Sequence, residues 1–557
     1  MVQSTEGGWK YKLPGEQIGF FSGDNRYYIY QTGDSLCNLS LGTGTMKLIT
    51  RVVDYKLSSG DTRNEWIAVE LKEKTVLLKN FITGKEKQFT NVINYEFDGR
   101  GDWFSCQLNN ATKELVTVQL STEKVHNYEH VSGYRFDQSK RILVLQTDHE
   151  GIKGLEWVNT RSGKTTTVWR GNPSDSSSIG GYLVDQSAER LVFTVQLMST
   201  GKIERSIWYF KEGMTRAVQK VSRNTSGIRE GLEISGWQAF SDNGKYIIVS
   251  MRDSAIDNRK AQRGAVQVDV WNYKDTFLMS SQLDGNYGPM IYSLRKKELK
   301  LSVPCEGGGA LTYLAGIHEQ LFSQGGREYA LVERSVKTDR FWEDWAASES
   351  CVVNLRDGKR IRLRKSISMS RWSPDGTWLL CYDGKEGKYF RYDIASGLYT
   401  DLSGGEDWYF GGENEYNGTG RQSLLSRGIV GWLEGGTGLL VYDHYDIWQL
   451  DVTGKKRAVN LTNGRKDNIR FEITGNEFQR KTFYDPHERL LLTAVNMINK
   501  DNGFYALKLG SPKVPERLCM GPYVLYLGGL SYGTNFWGRY SKGRSPLKAR
   551  DADTWLI

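Results

Sequence analysis

Gly529-Leu530-Ser531-Tyr532-Gly533 spells G-x-S-x-G, the spacing that sets a serine on a sharp strand-to-helix turn with its hydroxyl exposed for nucleophilic attack. Such a serine needs a histidine base and an acid to orient it, and around this turn both follow the serine in the chain. Only 26 residues remain after Ser531 (557 − 531) and none is His, the last being His487. Ser531 is therefore read as part of a glycine-rich loop. His126, His130, His149, His318 and His444 are scattered along the chain, and neither a triad nor a metal cluster is expected from them. Paired carboxylates for glycosidic cleavage would have to stand about 5–10 Å apart. The candidates are Glu343 and Asp344 between Trp342 and Trp345, and the group Asp443, Asp446 and Asp451. Asp446 and Asp451 flank the apolar run IWQL at turn positions, so they read as turn caps. Whether Trp342 to Trp345 projects into a binding cavity the sequence leaves open. No catalytic, cofactor-binding or metal-ligating residue is assigned, and no cofactor is expected.

The segment Ser373-Pro374-Asp375-Gly376-Thr377-Trp378 resembles the aspartate box of sialidase propellers, but Gly follows Asp directly, which departs from that spacing. It is read as a strand-to-strand turn capped by Asp375, with Gly376 at positive φ. The densest basic stretch, RDGKRIRLRK from Arg356 to Lys365, alternates Arg360, Arg362 and Arg364 with Ile361 and Leu363. That is the pattern of an exposed strand face. Phosphate binding would need several such segments converging, so no nucleic-acid partner is expected. The six cysteines (37, 106, 305, 351, 381 and 519) form no CxxC or metal-type pair and are read as free buried thiols.

The elements that would carry these residues repeat. A unit consisting of an apolar strand, a turn at Ser or Asp near Gly, and a second apolar strand is clearest in MSRWSPDGTWLLCYD from Met369. It recurs as AFSDNGKYIIVSMRD from Ala239, YRFDQSKRILVLQTD from Tyr134 and YLVDQSAERLVFTVQ from Tyr182, and more weakly as FFSGDNRYYIYQTGD from Phe20, YEFDGRGDWFSCQLN from Tyr95, GWLEGGTGLLVYDHY from Gly431 and FYDPHERLLLTAVNM from Phe483. A third strand with an aromatic centre follows, as in LEWVNTRSGK, IWYFKEGM, VDVWNYKD, YFRYDIASG and DIWQLDVTGKK. A fourth apolar segment commonly completes the unit.

Four strands at a period of roughly 40 to 60 residues are the mark of propeller blades. Seventeen Trp, 30 Tyr and 20 Phe with 61 Gly and only 10 Pro suit short strands joined by glycine turns. The fold expected over residues 1–557 is all-β: a β-propeller of four-stranded blades, as one ring of about eight blades or as two adjoining propellers. Ten copies can be counted, including a faint one at Glu65 to Leu71 and a doubtful one around Ile291. Pro304 to Tyr329 reads as a loop excursion within a blade, and Gly404 to Arg427 as a second excursion able to cover one face. A single ring would bring the N-terminal segment, through Tyr30, beside Phe483 to Leu518 and bury Phe20, Tyr28 and Tyr30.

The formal charge of +9, from 74 Lys and Arg against 65 Asp and Glu, is small for this length and reads as a solvated surface. No stretch approaches the ~18 consecutive apolar residues of a membrane span, so the chain reads as soluble. Its polar start, MVQSTEGGWKYKLPGEQ, suggests a removed leader and hence a periplasmic or secreted protein.

Tyr442 to Arg470, YDHYDIWQLDVTGKKRAVNLTNGRKDNIR, with RWSPDGTWLLCYDGKEGKYFRYDIASG and the closing KARDADTWLI, resembles the propeller half of bacterial serine peptidases of the prolyl oligopeptidase family, of the dipeptidyl peptidase IV type. The resemblance covers most of the chain and is strongest after Gly231. It implies a propeller that narrows access for peptide substrates to an α/β-hydrolase domain carrying Ser, Asp and His. That domain is absent from this chain and expected after Ile557. No motif matches the acidic pair with which dipeptidyl peptidases hold a substrate amino terminus, so no substrate-binding residue is carried over. A free-standing scaffold propeller for a protein or glycan, and a carbohydrate-active propeller, are the alternatives.

Overall fold

The computed structural model describes residues 2–3, 10–11, 13, 19–58, 65–98, 101–137, 141–174, 176–199, 202–253, 298–306, 311–315, 320–334, 349–404, 408–413, 422–473, 481–524, 547–549 and 555–556. Among them ten successive sheets have four strands or more, nine of four and one of five. We number them 1 to 10 along the chain: 19–49, 52–89, 92–128, 131–170, 177–221, 232–315, 320–362, 367–401, 429–460 and 469–521. Sheet 9 gains its fifth strand from 483–484. Each sheet is a meander of consecutive strands apart from that addition, and the chain is a multi-blade β-propeller. The ten sheets match the ten copies read from the sequence in number but not one for one, since no copy was read for sheet 7, and they exceed the eight or so expected of a single ring.

Two placements differ from the sequence reading. Pro304 to Tyr329 is not a plain excursion: it carries Thr312–Ala315, the last strand of sheet 6, and Gln320–Gly326, the first of sheet 7. Its run of Gly and Ser masked those short strands. The copy beginning at Phe483 is also out of phase. Phe483–Tyr484 joins sheet 9, running parallel to Ile429–Leu433, and Ile469–Ile473 opens sheet 10. The doubtful copy around Ile291 lies outside the described residues. The Gly404 to Arg427 stretch contains a two-stranded sheet, Gly411–Glu413 with Gln422–Ser426.

Strand position within a sheet governs burial. Second strands such as Trp66–Leu71, Trp103–Leu108 and Trp378–Asp383 are buried on both faces for four residues or more, which is why they read as continuous apolar runs. Fourth strands such as Glu86–Phe89 and Val125–Tyr128 alternate exposed with half-buried residues. The core is a series of layers between consecutive sheets. Trp66, Ala68 and Leu78 of sheet 2 pack on Tyr95, Phe104 and Cys106 of sheet 3. Ile142, Val144 and Trp157 of sheet 4 pack on Leu191 and Phe193 of sheet 5, and Trp378 and Leu380 of sheet 8 on Trp432 and Leu439 of sheet 9. Tyr28 and Tyr30 are buried as expected, while Phe20 is only half-buried, against Tyr55.

The chain divides into two compact units, one of residues 1–240, 244–254 and 303–311, the other of 241–243, 255–302 and 312–557. The first holds sheets 1 to 5, the second sheets 7 to 10.

The first strands share a further feature. Just inside sheets 2, 3, 4, 5, 8 and 9 the register slips, between Val52 and Asp54, Val92 and Asn94, Val131 and Gly133, Ile179 and Tyr182, Ile367 and Met369, and Ile429 and Gly431. A bulge bends the strand and re-aims the side chains that follow it. In sheets 2 to 5 those side chains include Tyr55, Tyr95, Tyr134 and Tyr182, each three residues before the residue that caps the next turn.

Candidate functional site

The caps fix this row of tyrosines. Asp98 Oδ1 accepts the Trp103 N–H at 2.8 Å, Asp137 Oδ1 the Ile142 N–H at 2.7 Å, and Asp185 Oδ1 the Arg190 N–H at 2.8 Å. In sheet 2 the Ser58 hydroxyl accepts the Trp66 N–H at 3.1 Å. Each turn therefore begins at the same place, and equivalent residues of neighbouring first strands face one another.

After each of the first three tyrosines comes a charged side chain that acts on the tyrosine of the next sheet. Lys56 Nζ donates to the Tyr95 carbonyl at 2.6 Å and lies 4.5 Å from its ring centroid. One sheet on, burial and the Glu96 carboxylate both push the Tyr134 hydroxyl well above the usual phenol range. One further, burial pushes Tyr182 up to about 12 while the Arg135 guanidinium pulls the other way. Both hydroxyls therefore stay protonated at neutral pH and can donate hydrogen bonds.

Glu96, Arg135, Tyr134 and Tyr182 line a cavity of about 520 Å³ at the first strands of sheets 3, 4 and 5, together with Phe97, Phe136, Gln146 and the pair Gly180-Gly181. Glu96 and Arg135 are exposed and, among the described residues, neither is engaged in an ion pair. Gln146 stands over Gly133, where an added Cβ would meet its Oε1 at 2.9 Å, so the glycine keeps that flank open. Asp98 is committed to its turn. The lining contains no Ser, Cys, His or Lys: it offers hydrogen-bond donors and acceptors and, beside the turn cap Asp98, the exposed charges of Glu96 and Arg135. The signal for it was present in the sequence as Tyr, then one residue, then an apolar residue and Asp, at the head of the three copies from Tyr95, Tyr134 and Tyr182.

Asp443 and Asp446 do come together, at the head of the third strand of sheet 9, but both serve the fold. Asp446 accepts from the Thr462 hydroxyl at 2.7 Å, from the Asn460 amide at 3.1 Å and from the Gly464 and Arg465 N–H groups. Asp443 Oδ1 accepts the Tyr445 N–H at 2.7 Å and the Asp446 N–H at 2.5 Å. Asp451 caps the following turn through Thr453, Lys455 and Lys456. Asp375 caps its turn with Ser373 and Thr377, and Gly376 sits at φ 67°, as read. Arg360 and Arg362 are exposed on a short strand, with Ile361 half-buried and Leu363 buried.

All six cysteines are free thiols, but Cys519 is exposed and Cys351 half-buried, which corrects the expectation that all are buried. The histidines are not all dispersed: the rings of His130 and His149 meet with centroids 4.4 Å apart. Ser531, His318, and Trp342 to Trp345 lie outside the described residues. Among those described, no group of three His, Cys, Asp or Glu is placed to hold a metal ion, and no helix is long and apolar enough to cross a membrane.

No protein-family model matches the chain, and no curated protein matches it by sequence. Among solved structures it is similar to the tricorn protease at 11% identity and a TM-score of 0.28, covering 68% of this chain and 38% of that one. It is similar to a eukaryotic initiation factor at 8% identity and a TM-score of 0.32, covering 78% and 96%. The β-propeller domain of the Trilobed protease from Pyrococcus furiosus matches at 7% identity and a TM-score of 0.26, covering 84% and 98%.

Proposed function

We propose that this propeller is a non-catalytic peptide-docking module that gates substrate access to a serine-peptidase domain of the prolyl oligopeptidase type, expected to follow residue 557. The observation that carries the docking role is the presence of Glu96 and Arg135, of opposite charge and on adjacent first strands, both exposed at one cavity beside two protonated tyrosine hydroxyls. A peptide presents charges of both signs and alternating main-chain donors and acceptors, which such a lining matches. Under this reading the protein works in the periplasm or outside the cell, which fractionation of the source cells tests.

Titration of the full chain with fluorescently labelled peptides, and in parallel with oligosaccharides, is the experiment. Peptide binding that weakens about tenfold in Arg135→Ala and in Glu96→Gln supports the reading, a loss of about 1.4 kcal/mol. Glycan binding without peptide binding overturns the peptide assignment in favour of a glycan scaffold. Labelling of this chain by a serine-directed covalent probe, with turnover of peptide, overturns the non-catalytic one.

A further inference from the structure

His130 and His149 are 19 residues apart in sequence (149 − 130), yet they face each other at one end of sheet 4. His130 immediately precedes the first strand, Val131–Phe136, and His149 is the last residue of the second, Ile142–His149. The backbone holds the pair in place. The His130 N–H donates to the Thr112 carbonyl at 2.5 Å, and its own carbonyl accepts the Asp148 N–H at 2.8 Å. His130 sits at φ 58° and Glu150, just after His149, at φ 52°, so both side chains spring from tight turns. The rings meet edge to face at 76°, His130 partly exposed and His149 exposed.

Two imidazoles fixed this way are able to chelate one ion. Nitrogens bound at about 2.1 Å to one ion lie roughly 3 Å apart, which rings with centroids 4.4 Å apart reach by turning about χ2, a soft torsion. The surroundings carry charge of both signs. Glu129 and Glu150 adjoin the two histidines in sequence, and the Asp148 carboxylate is bonded to the Lys153 ammonium and draws on the nearby charge of Lys113. No third protein ligand stands in place among the described residues, so water would complete the coordination sphere.

We propose that His130 and His149 form a two-histidine site for a divalent transition-metal ion of the Ni²⁺, Cu²⁺ or Zn²⁺ class. Imidazole suits these ions, and Cu²⁺ should bind most tightly of the three. The site is separate from the cavity at sheets 3 to 5 and independent of the peptide reading.

Calorimetric titration of the full chain with Ni²⁺ alone tests it, since Ni²⁺ does not oxidise the free thiols. One equivalent per chain is expected, with affinity falling about tenfold or more in His149→Gln and in His130→Asn, a substitution that tolerates the left-handed backbone there. His126→Gln and Cys519→Ser should leave the isotherm unchanged. Binding that survives both His130→Asn and His149→Gln, binding lost in Cys519→Ser, or no saturable binding at all overturns the site.

Discussion

Asp137 Oδ1 accepts the backbone N–H of Ile142 at 2.7 Å, and this bond sets where the first strand of sheet 4 ends and the second begins. Because Asp137 is buried, truncation leaves the Ile142 N–H without its acceptor. Asp137→Ala should cost about 1–2 kcal/mol, and Asp137→Asn, which keeps the acceptor oxygen, much less. Hydrogen exchange at Ile142 reads the effect directly: its protection should drop in the alanine variant and hold in the asparagine one.

Gly376 tests backbone geometry without side-chain chemistry. At φ 67° with the Gly325 carbonyl oxygen 2.5 Å from where a Cβ would sit, Gly376→Ala meets both left-handed strain and a backbone clash. Gly397, at φ 72°, would place its Cβ no nearer than 4.0 Å to the Tyr392 hydroxyl. Gly397→Ala should therefore cost about 1 kcal/mol and Gly376→Ala roughly 2–3 kcal/mol. Urea midpoints of the two variants check the order, and equal losses would show that the approach to Gly325 carries no energy.

The turn caps explain what could be read from the sequence. Asp98, Asp137, Asp185 and Ser373 are local signals: a short polar side chain, a few residues, then an apolar strand. Local hydrogen bonds decide such turns, so the copies from Tyr95, Tyr134, Tyr182 and Met369 fall where the sheets do. Sheet 7 was missed because three of the seven residues of Gln320–Gly326 are glycine or serine, and only pairing with Tyr329–Arg334 makes it a strand. Phe483–Tyr484 was misplaced for a related reason, since its parallel partner, Trp432–Leu433, lies about fifty residues back. The cavity was hidden differently. Tyr134, Tyr182 and Arg135 were inside quoted repeats, but only the bulges and the neighbouring sheets decide that they converge. The approach of His130 to His149 follows from the antiparallel pairing of the first two strands, a register that no local pattern states.

The loop of sheet 9 separates a fold-bearing carboxylate from a costly one. Asp446→Ala removes the acceptor for Thr462, Asn460, Gly464 and Arg465 inside a buried loop, and a loss of about 3 kcal/mol or more is expected. Asp443 differs: burial, and then the nearby Asp446 charge, push its carboxyl above the usual range despite two backbone N–H donors. A raised folded value means that the protonated form favours folding, so this contribution is present at acid pH and lost as pH rises through that value. Asp443→Asn keeps an acceptor without the charge. The variant should gain on the wild type as pH goes from 4 to 7, and urea melts at those two pH values would show the reverse trend if the charge of Asp443 were stabilising.

The caps Asp393 and Asp375 carry the opposite sign. The Ser396 hydroxyl and N–H hold Asp393 below the usual carboxylate range. Asp375 is held low as well, the hydrogen bonds from Ser373 and Thr377 outweighing the burial that pulls it up. A depressed folded value gives stability that is present above the unfolded value, about 3.9 for Asp, and lost as pH falls through the folded one. Asp393→Asn should therefore lower the urea midpoint at pH 7 and leave it close to wild type near pH 2, once the native carboxyl is itself protonated. Ser396→Ala should shrink the same pH dependence by letting the Asp393 value rise toward normal. An Asp393→Asn deficit that stays constant from pH 7 to pH 2 would mean that the turn depends on the shape of the side chain and not on its charge.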